Sequence, residues 1–142
     1  MRTSARNQLP ATISAVTAGA VNDEVELTLA GGRRIIAVVT HESAQVLGLV
    51  PGVAAFALIK ASSILVVTDL GSARLSARNQ LSGTVIRLQP GAVSAEVVID
   101  VGGGLKLVAI VTQESAQSLG LASGSGVTAI FKASSVIVGV PR

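Results

Sequence analysis

The chain has 142 residues, of which 49% are hydrophobic and 13% are charged, with a formal net charge of +3 at pH 7. This composition is typical of a folded globular protein and excludes an intrinsically disordered one. Because cysteine is absent, disulfides, thiolate metal sites and cysteine nucleophiles are excluded. The single histidine, His41, excludes a multi-histidine metal site within one chain, and the small positive excess does not predict a polybasic surface.

Strand patterns dominate the first half of the chain. Apolar residues alternate with polar or small ones along Leu9, Ala11, Ile13 and Ala15, and this period of two predicts a strand with one buried face. Pro10 predicts an edge position or a bulge in that strand. Four further strands are predicted at 25–29, 34–39, 55–59 and 63–67, with a hairpin turn at residues 31–32.

One segment of the first half has helix signals instead. Thr40 is a good N-cap, Glu42 falls in the first turn, and Gly48 is placed to end the helix after one or two turns. Five strands with a short helix after the third are typical of an OB-like Greek-key barrel. The predicted fold is therefore all-β.

The second half repeats the first at an offset of 72 residues without a gap. Of the 66 pairs from Ser4/Ser76 to Asp69/Pro141, 31 are identical, and the six letters SARNQL occur in both copies. The sequence therefore predicts two tandem barrels of one kind, at residues 1–69 and 76–142, joined by residues 70–75. Each half is small for an independent core, so we expect the halves to pack on each other or on other chains.

Hydrogen-bond donors dominate the polar residues that recur in both copies. They fall in three places of the first copy, namely Ser4 to Asn7, Thr40 with Ser43, and Lys60 to Ser63. A tetrahedral dianion carries acceptors only, so such a set of hydroxyls, amides and cations suits it. The sequence thus predicts an oxyanion site without naming the oxyanion.

Each group of donors also has an ordinary structural interpretation. Thr40 with Ser43 serves equally well as a helix cap, and the repeated arginines and lysines serve equally well as solvated surface charges. Glu42, repeated as Glu114, is compatible with an anion site only if it points away from it and complements the helix dipole. His41 is replaced by Gln113 in the second copy, which predicts no catalytic role.

The repeated letters SARN, GAVN or GAVS followed by x-E-V, T-x-E-S-A and K-A-S resemble the Mop (TOBE) family of molybdate-binding domains. The resemblance covers essentially the whole chain, twice, as in a di-Mop protein. It implies OB-like barrels, six of which pack together, and hence a homotrimer of this chain. It further implies a cytoplasmic protein that binds molybdate or tungstate for molybdenum storage, buffering and homeostasis.

The resemblance also implies two classes of oxyanion site at contacts between modules. The first class takes donors from both copies: Ser4, Ala5, Arg6, Asn7, Thr40, Ser43, Lys60, Ala61 and Ser62, and Ser76, Ala77, Arg78, Asn79, Thr112, Ser115, Lys132, Ala133 and Ser134. The second class, near a threefold axis, takes two turns: Gly19, Ala20, Val21 and Asn22, and Gly91, Ala92, Val93 and Ser94. Because Asn22 stands against Ser94, the resemblance gives no reason for these two sites to bind equally. No side chain is expected to ligate a metal directly.

Two rival functions stay open at this point. A single-stranded nucleic-acid-binding OB protein agrees with the pI of about 10.2, but the aromatic residues that stack bases are missing. A purely structural assembly module predicts the same oligomer without a bound ion. An enzyme is not expected, because no paired catalytic carboxylates or oriented base are found.

A membrane-spanning segment is not expected either. The most apolar charge-free run, residues 43–59, contains Gly48, Pro51 and Gly52, and the N-terminus lacks the apolar core of a signal peptide. The resulting expectation is a cytoplasmic protein with neither nucleic acid nor membrane as its partner.

Overall fold

The computed structural model describes residues 1–142 and has five strands with a short helix after the third, twice over. The first half contains β1 (Asn7–Thr17), β2 (Asn22–Leu29), β3 (Arg34–Thr40), α1 (His41–Leu47), β4 (Ala54–Ile59) and β5 (Leu65–Val67). The second contains β6 (Asn79–Gln89), β7 (Ser94–Asp100), β8 (Lys106–Thr112), α2 (Gln113–Ser118), β9 (Gly126–Phe131) and β10 (Ile137–Gly139). The predicted all-β fold with two OB-like barrels, each with one short helix, is confirmed.

Buried residues follow the predicted alternation until a bulge interrupts it. Val25, Leu27 and Leu29 of β2 all lie in the core. In β1 the register shifts between Ile13 and Ala15. A bulge adds one residue and so exchanges the faces of the strand beyond it. The inward alternation expected through Ala15 therefore ends at Ile13, and Val16 packs against the core instead.

Pro10 occupies a part of β1 that is paired on one side only. It lies opposite Phe56 of β4, whereas pairing with β2 begins one residue later, at Ala11. Proline has no N–H group to donate, so a one-sided position accommodates it. The expected edge position is not found, because β1 is the central strand of its sheet, and the bulge lies farther along the strand.

Helix α1 has the N-cap and the terminating glycine that its sequence predicts, and a short turn that the sequence does not predict follows β4. The Thr40 side chain accepts a hydrogen bond from the amide of Ser43, and Gly48 ends α1 with a left-handed φ of 65°. After β4 the chain makes a 3₁₀ turn at Ala61–Ser63, which the strand patterns missed. The fifth strand consequently starts at Leu65 rather than at Ser63.

The last strand of each half belongs to the sheet of the other half. The strand orders are β10-β4-β1-β2-β3 and β5-β9-β6-β7-β8. Val66 of β5 lies opposite Ala129 of β9, and Val138 of β10 lies opposite Ala57 of β4, both in antiparallel pairs. Each sheet thus has four strands from one half and one from the other, so neither half completes its own barrel.

The two halves share one hydrophobic core, and equivalent residues of the two halves meet where the halves contact each other. A single cluster of 30 buried residues draws on both halves. Gly31 and Gly103, which are equivalent in the repeat, lie so close that a Cβ atom on Gly31 would be 2.6 Å from the Cα atom of Gly103. The hairpin turns of β2–β3 and β7–β8 are therefore in direct contact, and only glycine fits at this point.

Candidate functional site

One cavity, the larger of two that contain predicted donors, brings together two of the three predicted donor segments. It has a volume of about 570 Å³. Its wall includes the segment before β1, the 3₁₀ turn after β4 and part of the equivalent turn of the second half. The lining residues are Thr3, Ser4, Ala5, Arg6, Leu58, Lys60, Ala61, Ser62, Ser63, Ile110, Ser134, Ser135 and Ile137.

A second cavity has the equivalent donors of the second half. Its volume is about 290 Å³, and it is lined by Val38, Ser76, Ala77, Arg78, Lys132, Ala133 and Ser134. Ser134 contributes to both cavities, because the exchanged strand β10 carries its turn toward the first half. The two cavities are related by the repeat only in part, because Ser134 and Ser135 of the second half also line the larger one, whereas no serine of the first half lines the smaller one.

The arginine of each SARN segment is paired with a glutamate of the opposite half. Nη1 of Arg6 lies 3.0 Å from a carboxylate oxygen of Glu96. Arg78 donates two hydrogen bonds to the carboxylate of Glu24, both of 2.9 Å. These hydrogen bonds raise the pKa of the Arg78 guanidinium above its already high ordinary value, so that Arg78 stays charged.

Glu24 and Glu96 were missing from the predicted site residues. They occupy equivalent positions in β2 and β7, and the same letter follows the GAV turn in both copies. That repetition was a signal for a shared role. Only the structure shows what that role is, because the arginine that each glutamate contacts lies in the other half of the chain.

The side chains of Asn7 and Asn79 hold the two halves together. Nδ2 of Asn7 donates to the carbonyl oxygens of Ile59 and Val108, and Oδ1 of Asn7 accepts from the amide of Val108 at 2.8 Å. Asn79 makes the equivalent pair of bonds to the backbone of Ile36. Both asparagines are buried, so their side-chain amides are already engaged in packing the halves together.

Thr40, Ser43, Thr112 and Ser115 line neither of these cavities. Each threonine accepts from the serine amide at 3.1 Å and donates to the serine Oγ at 2.7 Å. This is the capping arrangement that the alternative interpretation expected. Within one chain, the structure therefore does not bring these four residues to the SARN and KAS segments.

The two turns predicted as second-class sites are exposed at the chain surface. Gly19, Ala20, Val21 and Asn22 connect β1 to β2, and Gly91, Ala92, Val93 and Ser94 lead into β7. The amides of Ala20 and Val21 make no hydrogen bond within the chain, and the same holds for Ala92 and Val93. Free amides of this kind are able to donate to an anion.

A buried carboxylate holds the turn at residues 19–22 through hydrogen bonds. The Gly19 amide donates to Oδ1 of Asp23 at 3.0 Å, and Nδ1 of His41 lies 2.8 Å from the same oxygen. The Gly19 bond holds the pKa of the Asp23 carboxyl below its ordinary value; burial acts in the opposite direction, and His41 adds to the lowering. In the second turn the Gly91 amide donates to Oε1 of Gln113 at 3.3 Å.

The chain offers no cluster of three or more histidine, cysteine, aspartate or glutamate residues in an arrangement suited to a metal ion. None of its helices has both the length and the apolar character needed to cross a membrane. The donors that the structure does assemble are hydroxyls and cations. A ligand held by them would be bound through its own hydrogen-bond acceptor atoms.

Curated relatives share the sequence over nearly the whole chain. The chain is 48% identical over 141 residues to the molybdenum-pterin-binding protein MopA of Rhodobacter capsulatus, covering 99% of this chain and 53% of that protein. It is 46% identical over 142 residues to the molybdenum transport protein ModE of Herbaspirillum seropedicae, covering 100% and 53%. The chain thus spans about half the length of these curated relatives.

A solved structure matches the fold over its full length. It is a crystal structure of the cytoplasmic molybdate-binding protein ModG with molybdate bound, 48% identical, with a TM-score of 0.96 and coverage of 99% of this chain and 100% of that one. The model of the TOBE domain matches residues 3–66 and again residues 75–138. The chain therefore belongs to the TOBE domain family and has two copies of the domain.

Proposed function

We propose that the chain binds a tetrahedral oxyanion, molybdate or tungstate, and does so without catalysing a reaction on it. The observation that carries the proposal is the larger cavity, where the Ser4–Arg6 segment meets Lys60 and the serines of two 3₁₀ turns. Arg6 and Lys60 supply charge, and the serines supply hydroxyl donors. The similarity to ModG, solved with molybdate bound, supports this ligand.

The proposed first-class sites keep the predicted residues, with donors divided between chains. Ser4, Ala5, Arg6, Lys60, Ala61 and Ser62 form one half of such a site, and Ser76, Ala77, Arg78, Lys132, Ala133 and Ser134 form the equivalent half of another. Thr40 with Ser43, and Thr112 with Ser115, would be supplied by a neighbouring chain. Asn7 and Asn79 would contribute by positioning the SARN segments, because their side chains are engaged with the backbone.

The proposed assembly is a homotrimer of two-module chains, with modules at 1–69 and 76–142 and their last strands exchanged. Apolar side chains at the surface support further association: Val21 is 74% exposed, Val46 79% and Val93 78%. Ile137 is 61% exposed and lines the larger cavity, so a chain packed over it would also close the site. We further propose a cytoplasmic role in molybdenum storage, buffering and homeostasis.

Titration calorimetry tests the ligand, and light scattering tests the assembly. The dialysed protein is titrated with molybdate, tungstate, sulfate and phosphate. Saturable binding of molybdate or tungstate at micromolar or lower concentration, without binding of sulfate, is expected. No heat from any oxyanion with a folded, ion-free protein would contradict the proposal, and a monomer would contradict the shared sites.

Two variants make the same experiment specific to the cavities. The double variant Arg6→Ala, Arg78→Ala removes both cavity arginines and is expected to lose first-class binding. The matched control is Arg74→Ala, which removes an exposed arginine of the connecting segment that lines neither cavity. Equal affinity in all three proteins would show that the cavities do not hold the ion.

A further inference from the structure

The two exposed turns have the same GAV letters but are held by different chemistry. In the first, the Gly19 amide is bonded to the carboxylate of Asp23. In the second, the Gly91 amide is bonded to the neutral side-chain oxygen of Gln113. The positions equivalent to Asp23 and His41 are Ala95 and Gln113, so the second turn has no ionisable partner at these positions.

Asp23 is placed to affect any anion that approaches the first turn. It is only 3% exposed, and His41 is the one ionisable side chain that it contacts, with Nδ1 at 2.8 and 3.1 Å from the two carboxylate oxygens. Two of the remaining acidic groups on the packed elements do not distinguish the turns. Glu24 and Glu42 have equivalents at Glu96 and Glu114. Glu24 and Glu96 each bind an arginine of the opposite half.

Glu26 and Arg34 complete the set of charged groups on the elements around the first turn. They lie on β2 and β3 and are 3.8 Å apart, so they form a pair of their own. Glu42, the neighbour of His41 on α1, is exposed and has no ion pair. Glu26 has no acidic counterpart, because Val98 stands at the equivalent position, and Arg87 of β6 stands where β1 has Ala15. Asp23 with His41 is the difference that contacts the turn itself, through the bond between Asp23 and the Gly19 amide.

We propose that Asp23 and His41 make the turn at residues 19–22 a weaker oxyanion site than the turn at residues 91–94, with an affinity that depends on pH. This inference rests on the proposed second class of oxyanion sites. A dianion at the amides of Ala20 and Val21 is repelled by the Asp23 carboxylate unless His41 is protonated. Gln113 stays neutral at every pH, so the second turn has no such dependence.

Exchanging the residues between the copies tests the inference. Asp23→Ala with His41→Gln gives the first turn the partners of the second, and Ala95→Asp with Gln113→His does the reverse. The repeat shows that the fold accommodates both sets, and circular dichroism checks each variant. Molybdate titrations are run at about pH 6 and about pH 8, because histidine changes charge between them.

The expected result is a second-class site in the wild type that weakens by about three- to tenfold between the lower and the higher pH. The first exchange should remove this dependence, and the reverse exchange should create it in the other turn. Unchanged pH dependence in both variants would overturn the inference. So would loss of all binding in Arg6→Ala, Arg78→Ala, since the turns would then hold no ion. Absence of molybdate binding in every protein would contradict the proposed function as well.

Discussion

The two cavities are built from the same repeated letters, yet they differ in volume and in how their arginines are held. The cavity of Arg6 measures about 570 Å³, and that arginine makes a single 3.0 Å contact with Glu96. The cavity of Arg78 measures about 290 Å³, and that arginine makes two 2.9 Å bonds to Glu24. Repetition of the donors has therefore not produced two equal sites.

The difference arises from apolar residues outside the repeated motifs and from the serines that the opposite half adds to one cavity only. The larger cavity is lined by Leu58, Ile110 and Ile137 as well as by its donors, and it gains Ser134 and Ser135 from the exchanged half. The smaller cavity gains only Val38 beyond its own SARN and KAS residues. The duplicated motif thus supplies the hydrogen-bond donors. The surrounding residues determine the volume of each cavity and the contacts that compete for its arginine.

The largest expected effect concerns the asparagines that join the halves. Asn7→Ala should lower the free energy of unfolding by about 3 kcal/mol, because it leaves the backbone of Val108 and the carbonyl of Ile59 without partners. Asn79→Ala, which removes two bonds rather than three, should lower it slightly less. Urea denaturation measures both, with the exposed Gln8→Ala as control. Wild-type stability in Asn7→Ala would show that the halves do not depend on this contact.

The next largest effect separates the two cavities as binding sites. Arg6→Ala and Arg78→Ala, made singly, should each weaken one subset of first-class sites by about 10- to 100-fold, the range of a lost charge-assisted hydrogen bond. Calorimetric stoichiometry should show the other subset unchanged. If either single variant removed all sites, the cavities would be parts of one site rather than two.

A smaller effect should follow from releasing the arginines. Glu24→Gln and Glu96→Gln remove a carboxylate that competes with the anion, and each should tighten molybdate binding by about two- to fivefold, the range of an exposed ion pair. The gain should be larger for Glu24→Gln, since Arg78 is held by two bonds. Weaker binding in both variants would instead show that the glutamates orient the arginines.

The smallest effect concerns stability in acid. The pKa of Asp23 is lower in the folded chain than in the unfolded one, so its stabilising contribution is complete above the unfolded value of about 3.9. It should be lost as the pH falls through the lower folded value. Thermal melts between about pH 5 and about pH 2 should therefore decline more steeply for the wild type than for Asp23→Ala. Parallel declines would contradict this assignment.

Much of the fold was predictable from local patterns. The alternation through Val25, Leu27 and Leu29, the cap at Thr40 and the left-handed Gly48 were all confirmed. The position of the bulge, beyond Ile13 rather than at Pro10, was not foreseen, because Ser14 and Ala15 both suit a regular strand. Its position depends on pairing with β2, which lies outside the pattern of β1 itself.

The sequence predicted which residues supply donors to the candidate site, but not how they are arranged. The repetition of SARN and K-A-S identified Arg6 and Lys60 as donors, and the structure places both at one cavity. The side chain of Asn7 proved to be engaged with Val108 of the opposite half. The membership of Thr40 and Ser43 stays a prediction, since they line neither of the two cavities within one chain.

The sequence by itself determined that this protein has two modules of one kind, that each has five strands and a short helix, and that its recurring polar residues are donors. These properties are local, because period, caps and repeated letters depend on neighbours along the chain. Only the tertiary structure decided that β5 and β10 change places, and that Arg6 faces Glu96 while Arg78 faces Glu24. Such pairings depend on which strand edges meet in space. The two halves have equivalent edges with similar apolar patterns, so the packing of the whole chain determines which strand pairs with which edge.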